Sequence, residues 1–500
     1  MSSPPVHAQR LLGSNRASST LRSGQLGTAT LVWIMLSAAA TLTVTAGVIP
    51  TGFASTGLVA LPLAFLAVGV VLAVFLPGYL AMARHLPSAG GMYTFVAAGL
   101  GRVPGVGAAW LAVVFYMAVQ TAAYGLIGAA VVPLLDGWWG VSPPWWTAAL
   151  ACWAVVGLLG VRRISLSGRV LAVLCAAELA VVAVTASSNV ATAATDNHPM
   201  LQPWAGLDPA RMLVPALGAA LVVIVLAFAG FEHGVVYAEE ARPGAVARAT
   251  CITLLVLTVL YAGASCAMLL PAGPVAFMDR AGELGPDLVA TVAGEQLGSG
   301  MAMAVRVLFV SSLLAAMMAF HQTSSRYLFS LGREHVAPAR LGRLGPRSGA
   351  PVAASLVQTA VIGAVILTYA AGGWDPVTRL FYIAGTAGGF GVLVLLAGTS
   401  AAVIGYFTQR DDRPGVWARL IAPGLSGLGL VAMVCLAVAN FAAVLGVPGD
   451  SPLGWAVPTA LALLVAGGCG WGLTLRLTAP HVYRRIGHGV RAGLDTTALD

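Results

Sequence analysis

The chain reads as an all-α integral membrane protein of twelve transmembrane helices, and three observations say so. Hydrophobic residues make up 58% of it and charged residues 9%, against about 25% charged in a soluble domain. The apolar residues fall in long continuous runs, sized for the roughly 20 residues a helix needs to cross a hydrocarbon core, without the alternation of a membrane barrel. The basic residues are 26 arginines with no lysine, and they cluster at the ends of the runs, as topology signals do. In lipid the backbone must bond to itself, so the runs are helices.

Residues 1–28 are polar, with Arg10, Arg16, Arg22 and many serines, and are expected to be a disordered cytoplasmic tail. The first apolar run lies too far in and is too long for a secretory signal. Apolar segments follow near 29–50, 57–82, 104–132, 146–161, 168–187, 212–238, 249–270, 301–325, 351–371, 378–406, 416–446 and 453–476, with a cytoplasmic tail at 477–500. A polar connector, TASSNVATAATDNHPMLQPWAGLDPAR, separates segments five and six, and another after segment seven carries Asp279, Glu283, Asp287 and Glu295. Trp138–Trp139 and Trp145–Trp146 flank Pro143–Pro144 at the outer ends of segments three and four and read as interfacial anchors. With the N-tail inside, 22 arginines lie on the cytoplasmic side, and only Arg211, Arg280, Arg306 and Arg379 lie outside. That bias places both termini in the cytoplasm of a multi-pass plasma-membrane protein and requires an even number of crossings.

Several chemistries are not expected. The charge of +8 sits at helix ends rather than in a nucleic-acid patch. Cys152, Cys175, Cys251, Cys266, Cys435 and Cys469 lie in apolar runs with no C-x-x-C spacing, and read as free packed thiols. His321 has no second histidine at ligand spacing and reads as structural or gating, so no metal is expected. There is no Walker loop and no G-x-S-x-G elbow, so neither ATP use nor enzymatic catalysis is expected. GTAGGFG at 385–391 lacks a strand–helix nucleotide unit and reads as a flexible or tightly packed part of segment ten.

The informative residues are polar ones inside apolar segments. Glu178 in segment five and Glu232 in segment six sit where a charge costs about 2.5–3.5 kcal/mol on insertion scales; each reads either as a proton carrier or gate facing a wet cavity, or as a neutral carboxyl bonded to a neighbouring helix. Glu232 follows Phe228, Ala229, Gly230 and Phe231, and segment one carries Ser37, Ala38, Ala39, Ala40, Thr41, Leu42 and Thr43. Such small-residue stretches suit either broken transporter helices or close packing. Tyr116, Gln120 and Tyr124 share one helical face, lining a cavity or bonding a neighbour. Ser311 and Ser312 lie in segment eight, above His321, Gln322, Ser324 and Ser325.

Three stretches resemble the amino acid–polyamine–organocation superfamily of secondary transporters: LPGYLAMARHLPSAGGMYTFVAAGLGRVPG after segment two, FAGFEHGVVYAEEARPG on segment six, and SSRYLFSLGREHVAPARL after segment eight. The resemblance runs from about residue 30 to 410. It implies a five-plus-five inverted repeat, about 29–187 and 212–406, with segments one and six broken at mid-membrane and two extra helices at 416–476. It places Ser37, Ala39, Ala40 and Thr41 at the first break, although the usual Gly-x-Gly is absent. Phe228, Ala229 and Gly230 fall at the second break, with Tyr116 and Gln120 lining the cavity between. It makes Glu232 a gating residue. Glu178 falls where several relatives carry a lysine standing in for sodium near helices one and eight, which favours proton coupling near Ser311 and Ser312, with sodium coordination as the rival. Leu226 stands where cation-binding relatives often present a tryptophan.

The function expected is secondary active transport of amino acids or related amines by alternating access. The substrate carboxylate would meet free N–H groups at a half-helix start, and proton symport is expected through Glu178 or Glu232. An exchanger, or a membrane sensor that binds without transport, is the alternative. The expected partners are a small-molecule substrate and the lipid bilayer; no cofactor is expected beyond the coupling proton, and nothing in the sequence assigns an oligomeric state.

Overall fold

Twelve helices long and apolar enough to cross a bilayer make up the computed structural model of the chain, which describes residues 24–162, 168–195, 205–212, 217–346, 348–445 and 447–489. They are Thr28–Thr56, Leu61–His85, Arg102–Trp139, Trp145–Arg162, Val170–Ala194, Leu217–Tyr237, Ala245–Leu269, Ser299–Arg333, Val352–Ala371, Pro376–Thr408, Trp417–Ala439 and Leu453–Thr478, here spans 1 to 12. Among the described residues there is no strand, only an isolated bridge between Leu26 and Ala241. Most of the expected N-tail, the end of the C-tail and part of the connector after span 5 lie outside the described residues.

Burial sorts the spans. Spans 1 and 6 are 83% and 89% buried, whereas span 12 is 17% buried, so the two central helices are wrapped by the others. Outward residues such as Leu255, Leu428, Leu463 and Leu477 are exposed and supply the apolar surface that a bilayer covers. Trp138, Trp139 and Trp146 are exposed at the arginine-poor ends of spans 3 and 4, at the level where aromatic anchors sit.

Spans 1, 3, 5 and 8 run well past their apolar runs. Span 5 extends past 187 through Ser188, whose hydroxyl donates to Gln296 at 2.7 Å. Span 8 extends past 325 through Arg326 and Arg333, which find Glu240 and Glu239. Hydropathy ends a segment at the first polar group, whereas the folded helix continues because a partner meets that group. The polar connectors also hold short helices: Met92–Gly99 on the arginine-rich face, and Gly273–Leu284 and Leu288–Leu297 on the opposite face.

Small residues let the helices meet closely, as in other membrane bundles. Gly388 lies against Val119 and Gly391 against Phe115, so the glycine run of span 10 is packed onto span 3. A Cβ on Gly99 would come within 2.0 Å of the Ala402 carbonyl oxygen, whereas one on Gly263 would meet nothing within 4 Å. Gly99→Ala should therefore destabilise the protein by about 1–3 kcal/mol through overpacking, while Gly263→Ala should not. Thermal unfolding in detergent checks this, and equal midpoints for the two variants would contradict the packing.

Candidate functional site

Span 1 is interrupted where its sequence is smallest. The helix Thr28–Ala38 ends, Ala40 takes a left-handed conformation (φ 48°, ψ 62°), and the chain resumes at Thr41. It continues through a π-helical turn, Val44–Val48, into Ile49–Thr56; such turns are common at functional sites. An interruption frees backbone groups that lipid cannot satisfy, and neighbours take them. The Tyr261 hydroxyl of span 7 donates to the Ala39 carbonyl at 3.2 Å. Glu178 of span 5 accepts the Leu42 N–H at 3.3 Å and the Thr41 hydroxyl at 3.0 Å. The Ser312 hydroxyl of span 8 accepts the Thr43 N–H at 3.3 Å and donates to the same Glu178 oxygen at 2.9 Å. A carboxylate at the start of the second half-helix also sits where the helix dipole favours negative charge. Two N–H groups expected to be free for a substrate carboxylate are thus already bonded.

Span 6 is interrupted between Leu217–Phe228 and the 3₁₀ turn His233–Tyr237. Gly230 has φ +120°, and a Cβ there would lie 2.6 Å from the Ala39 nitrogen; only glycine allows both the backbone angle and this contact. The two interruptions therefore touch. Glu232 is fully buried and turns back on its own break: it accepts the Gly230 N–H at 2.9 Å and the Tyr116 hydroxyl at 3.1 Å. Its backbone carbonyl accepts the Tyr79 hydroxyl of span 2 at 3.1 Å.

A cavity of ≈ 50 Å³ lies between the interruptions, room for a few waters. Ala38, Ala39 and Ala40 of span 1 line it, with Ala229 and Leu226 of span 6 and Val119, Ala316, Phe320 and Phe381 from spans 3, 8 and 10. Every lining residue is uncharged, and Thr43 is the only polar one. Its hydroxyl oxygen is buried with no hydrogen-bond partner.

The residues singled out from sequence are thus distributed over several places. Ala39, Ala40 and Ala229 line the cavity, and Gly230 closes onto span 1. Tyr116 holds Glu232, and Thr41 and Ser312 hold Glu178. Ser37 lines a separate cavity of ≈ 100 Å³ toward the arginine-rich end. Phe228 packs against Phe65 and Tyr261. Gln120 accepts a hydrogen bond from Gln358 of span 9, and Ser311 donates back to Leu308 of its own helix at 2.8 Å. Sequence reading named Thr43 only as part of its stretch, and missed Tyr79 and Tyr261. The signal was available for the tyrosines: a phenol deep in an apolar helix must find a partner, and a broken neighbour offers one.

At the arginine-rich end, the Glu-Glu exit of span 6 meets the end of span 8. Glu239 pairs with Arg333 at 2.8 Å and accepts the Ala89 N–H at 2.8 Å; Glu240 pairs with Arg326. The Glu240 carbonyl accepts the N–H groups of Gln25 and Leu26. Beyond span 8, Glu334 is buried and holds the N–H groups of Gly487 and Gly489 at 2.9 Å each, together with the Tyr93 hydroxyl. These bonds join all three stretches that carry the superfamily resemblance. His321 bonds Ser355 of span 9 at 2.7 Å.

The Tyr116–Glu232 bond is directly measurable. In a double-mutant cycle of Tyr116→Phe and Glu232→Gln, the coupling should be about 1 kcal/mol or more, read from unfolding in detergent. Additive losses would mean that the two groups do not bond.

Residues 26–467 match the family described as amino acid permease. A comparison with curated proteins found no match. The match covers all but the last part of span 12, and with it the chain belongs to the amino acid permease family, within the amino acid–polyamine–organocation superfamily.

Proposed function

We propose that this permease is a proton-coupled symporter of small uncharged amino acids. It would work by alternating access between two inverted halves of five spans, in the plasma membrane with both termini in the cytoplasm. The observation that carries the reading is the meeting of two interrupted helices over a cavity whose only polar lining group is the unpartnered Thr43 hydroxyl. A buried hydroxyl without a partner is costly, and a substrate's polar end supplies one. The carbonyl ends of Thr28–Ala38 and Leu217–Phe228 suit an ammonium group. The carboxylate is left to the Thr43 hydroxyl, since Glu178 and Ser312 already hold the N–H groups at the start of the second half of span 1. The walls of Val119, Leu226, Phe320 and Phe381 suit a short apolar side chain and offer no counter-charge to a cationic one.

The proposed coupling group is Glu178. It bonds spans 1 and 8 from span 5 through one oxygen, so losing its charge weakens the junction of three helices. When span 1 swings, these bonds must part.

Proteoliposomes test both halves of this reading. Labelled alanine should accumulate under an inwardly directed proton gradient, arginine should not, and Glu178→Gln should abolish the response to the gradient. Transport indifferent to the gradient and to Glu178→Gln would end the proton proposal. Thr43→Val should raise the half-saturating alanine concentration about fivefold, the loss of roughly 1 kcal/mol of hydrogen bonding; an unchanged value would remove Thr43 from the site.

A further inference from the structure

On the arginine-poor face a second cavity of ≈ 310 Å³ lies between spans 1, 5 and 7 and the helices Gly273–Leu284 and Leu288–Leu297. It shares no lining residue with the central cavity. Span 5 lines it with Val182, Thr185, Ala186, Asn189 and Thr192, and at 3.6 residues per turn all of these but Ala186 fall within about 40° of the direction of Glu178. Val182, buried at the inner end, is one turn from Glu178, roughly 6 Å along the axis. Span 1 repeats the pattern, since Thr45 lines the cavity one turn from Thr41, whose hydroxyl donates to Glu178. Asn189 is 8% exposed, and its side-chain oxygen has no partner in the protein. The cavity's lining is largely apolar, but Thr45, Thr185, Asn189 and Gln296 line it too, and its size leaves room for waters to meet the Asn189 oxygen. Arg280 and Glu295 pair at 2.6 Å among the lining residues, both partly exposed.

We propose that this cavity is a hydrated entry by which protons reach Glu178 from the arginine-poor side without crossing the amino acid site, with Val182 as the last barrier. The proposal rests on the reading of Glu178 as the coupling group. A hydronium ion or a chain of waters hands one proton to the Glu178 carboxylate and leaves water behind; no other bond changes. The titratable groups facing Glu178 are the Cys175 thiol on span 5 and the Tyr261 hydroxyl on span 7. Spans 1 and 8 present to it only the Thr41 and Ser312 hydroxyls and the Leu42 N–H, and the charges at the cavity itself are Arg280 and Glu295. Substrate and proton then enter by different routes and meet only at the break in span 1.

Two measurements test this. In a background carrying Cys251→Ser and Cys435→Ser, which removes the exposed thiols, Asn189→Cys should react with a membrane-impermeant methanethiosulfonate. Val184→Cys, on the outward face of span 5, should not. In proteoliposomes, Thr185→Val with Asn189→Leu should slow gradient-driven alanine uptake about tenfold. It should leave alanine exchange at equal pH unchanged, and Asn189→Ser should keep driven uptake near that of the unsubstituted protein. An Asn189→Cys thiol as inert as Val184→Cys would overturn the proposal, as would driven uptake and exchange falling together. Uptake in the unsubstituted protein that ignores the gradient would remove the coupling reading and the entry with it; a dry cavity alongside intact gradient-driven uptake removes only the entry.

Discussion

A helix interrupted inside a bilayer must find a protein partner for each polar group it frees, because hydrocarbon provides none. Most of the site follows from meeting that requirement twice, at Ala39–Ala40 and at Ala229–Phe231. The partners come from four other spans: Tyr79 from span 2, Glu178 from span 5, Tyr261 from span 7 and Ser312 from span 8; Tyr116 of span 3 holds Glu232, which takes the Gly230 N–H. Their side chains converge because the breaks need them. Gly230 closes the arrangement, since a side chain there would collide with the Ala39 backbone.

That requirement also explains the burial pattern. Spans 1 and 6 carry the exposed-backbone liabilities and are the most buried of the twelve, whereas spans 5 and 12 keep most of their surface outward. At the arginine-rich end a similar economy holds for charge. Arg333 is nearly inaccessible and is tolerated because Glu239 meets it; removing either partner of a buried pair generally costs several kcal/mol. The loop after span 2, the exit of span 6 and the end of span 8 are thereby locked together, so the likeness those stretches bear to one superfamily is carried by residues that touch one another.

Much of this was legible in the sequence, and the rest was hidden for identifiable reasons. Long apolar runs marked all twelve spans, because hydropathy and helix length answer to the same slab thickness. The breaks were legible as small-residue stretches, though Ala40 rather than a glycine takes the left-handed turn, and the position of the turn could not be told from Ala38, Ala39 and Ala40 alone. Hydropathy misplaced the ends of spans 5 and 8, since it cannot see that Gln296 and Glu239 wait beyond them. Tyr116, Gln120 and Tyr124 share a helical face, yet Tyr116 turns to Glu232 while Gln120 joins Gln358 on span 9. Periodicity identifies a face but not which neighbour each residue on it meets. Thr43 gave no local sign of its role, because an unpartnered hydroxyl is a property of the fold rather than of the residue.

The two intramembrane glutamates are not equivalent, and the difference bears on which of them can couple an ion to movement. Glu232 bonds an N–H two residues away on its own span and one hydroxyl on span 3, so one of its two bonds is local. Glu178 has no such local partner. Its bonds run to the second half of span 1 and to Ser312 on span 8, and any motion of span 1 against spans 5 and 8 must stretch them. A proton added to Glu232 changes one bond within span 6 and one to span 3, whereas a proton added to Glu178 changes only bonds that join span 5 to spans 1 and 8. In the proposed proton coupling, which requires a ligand to interact differently with two conformations, Glu178 is the carboxyl all of whose bonds cross between spans.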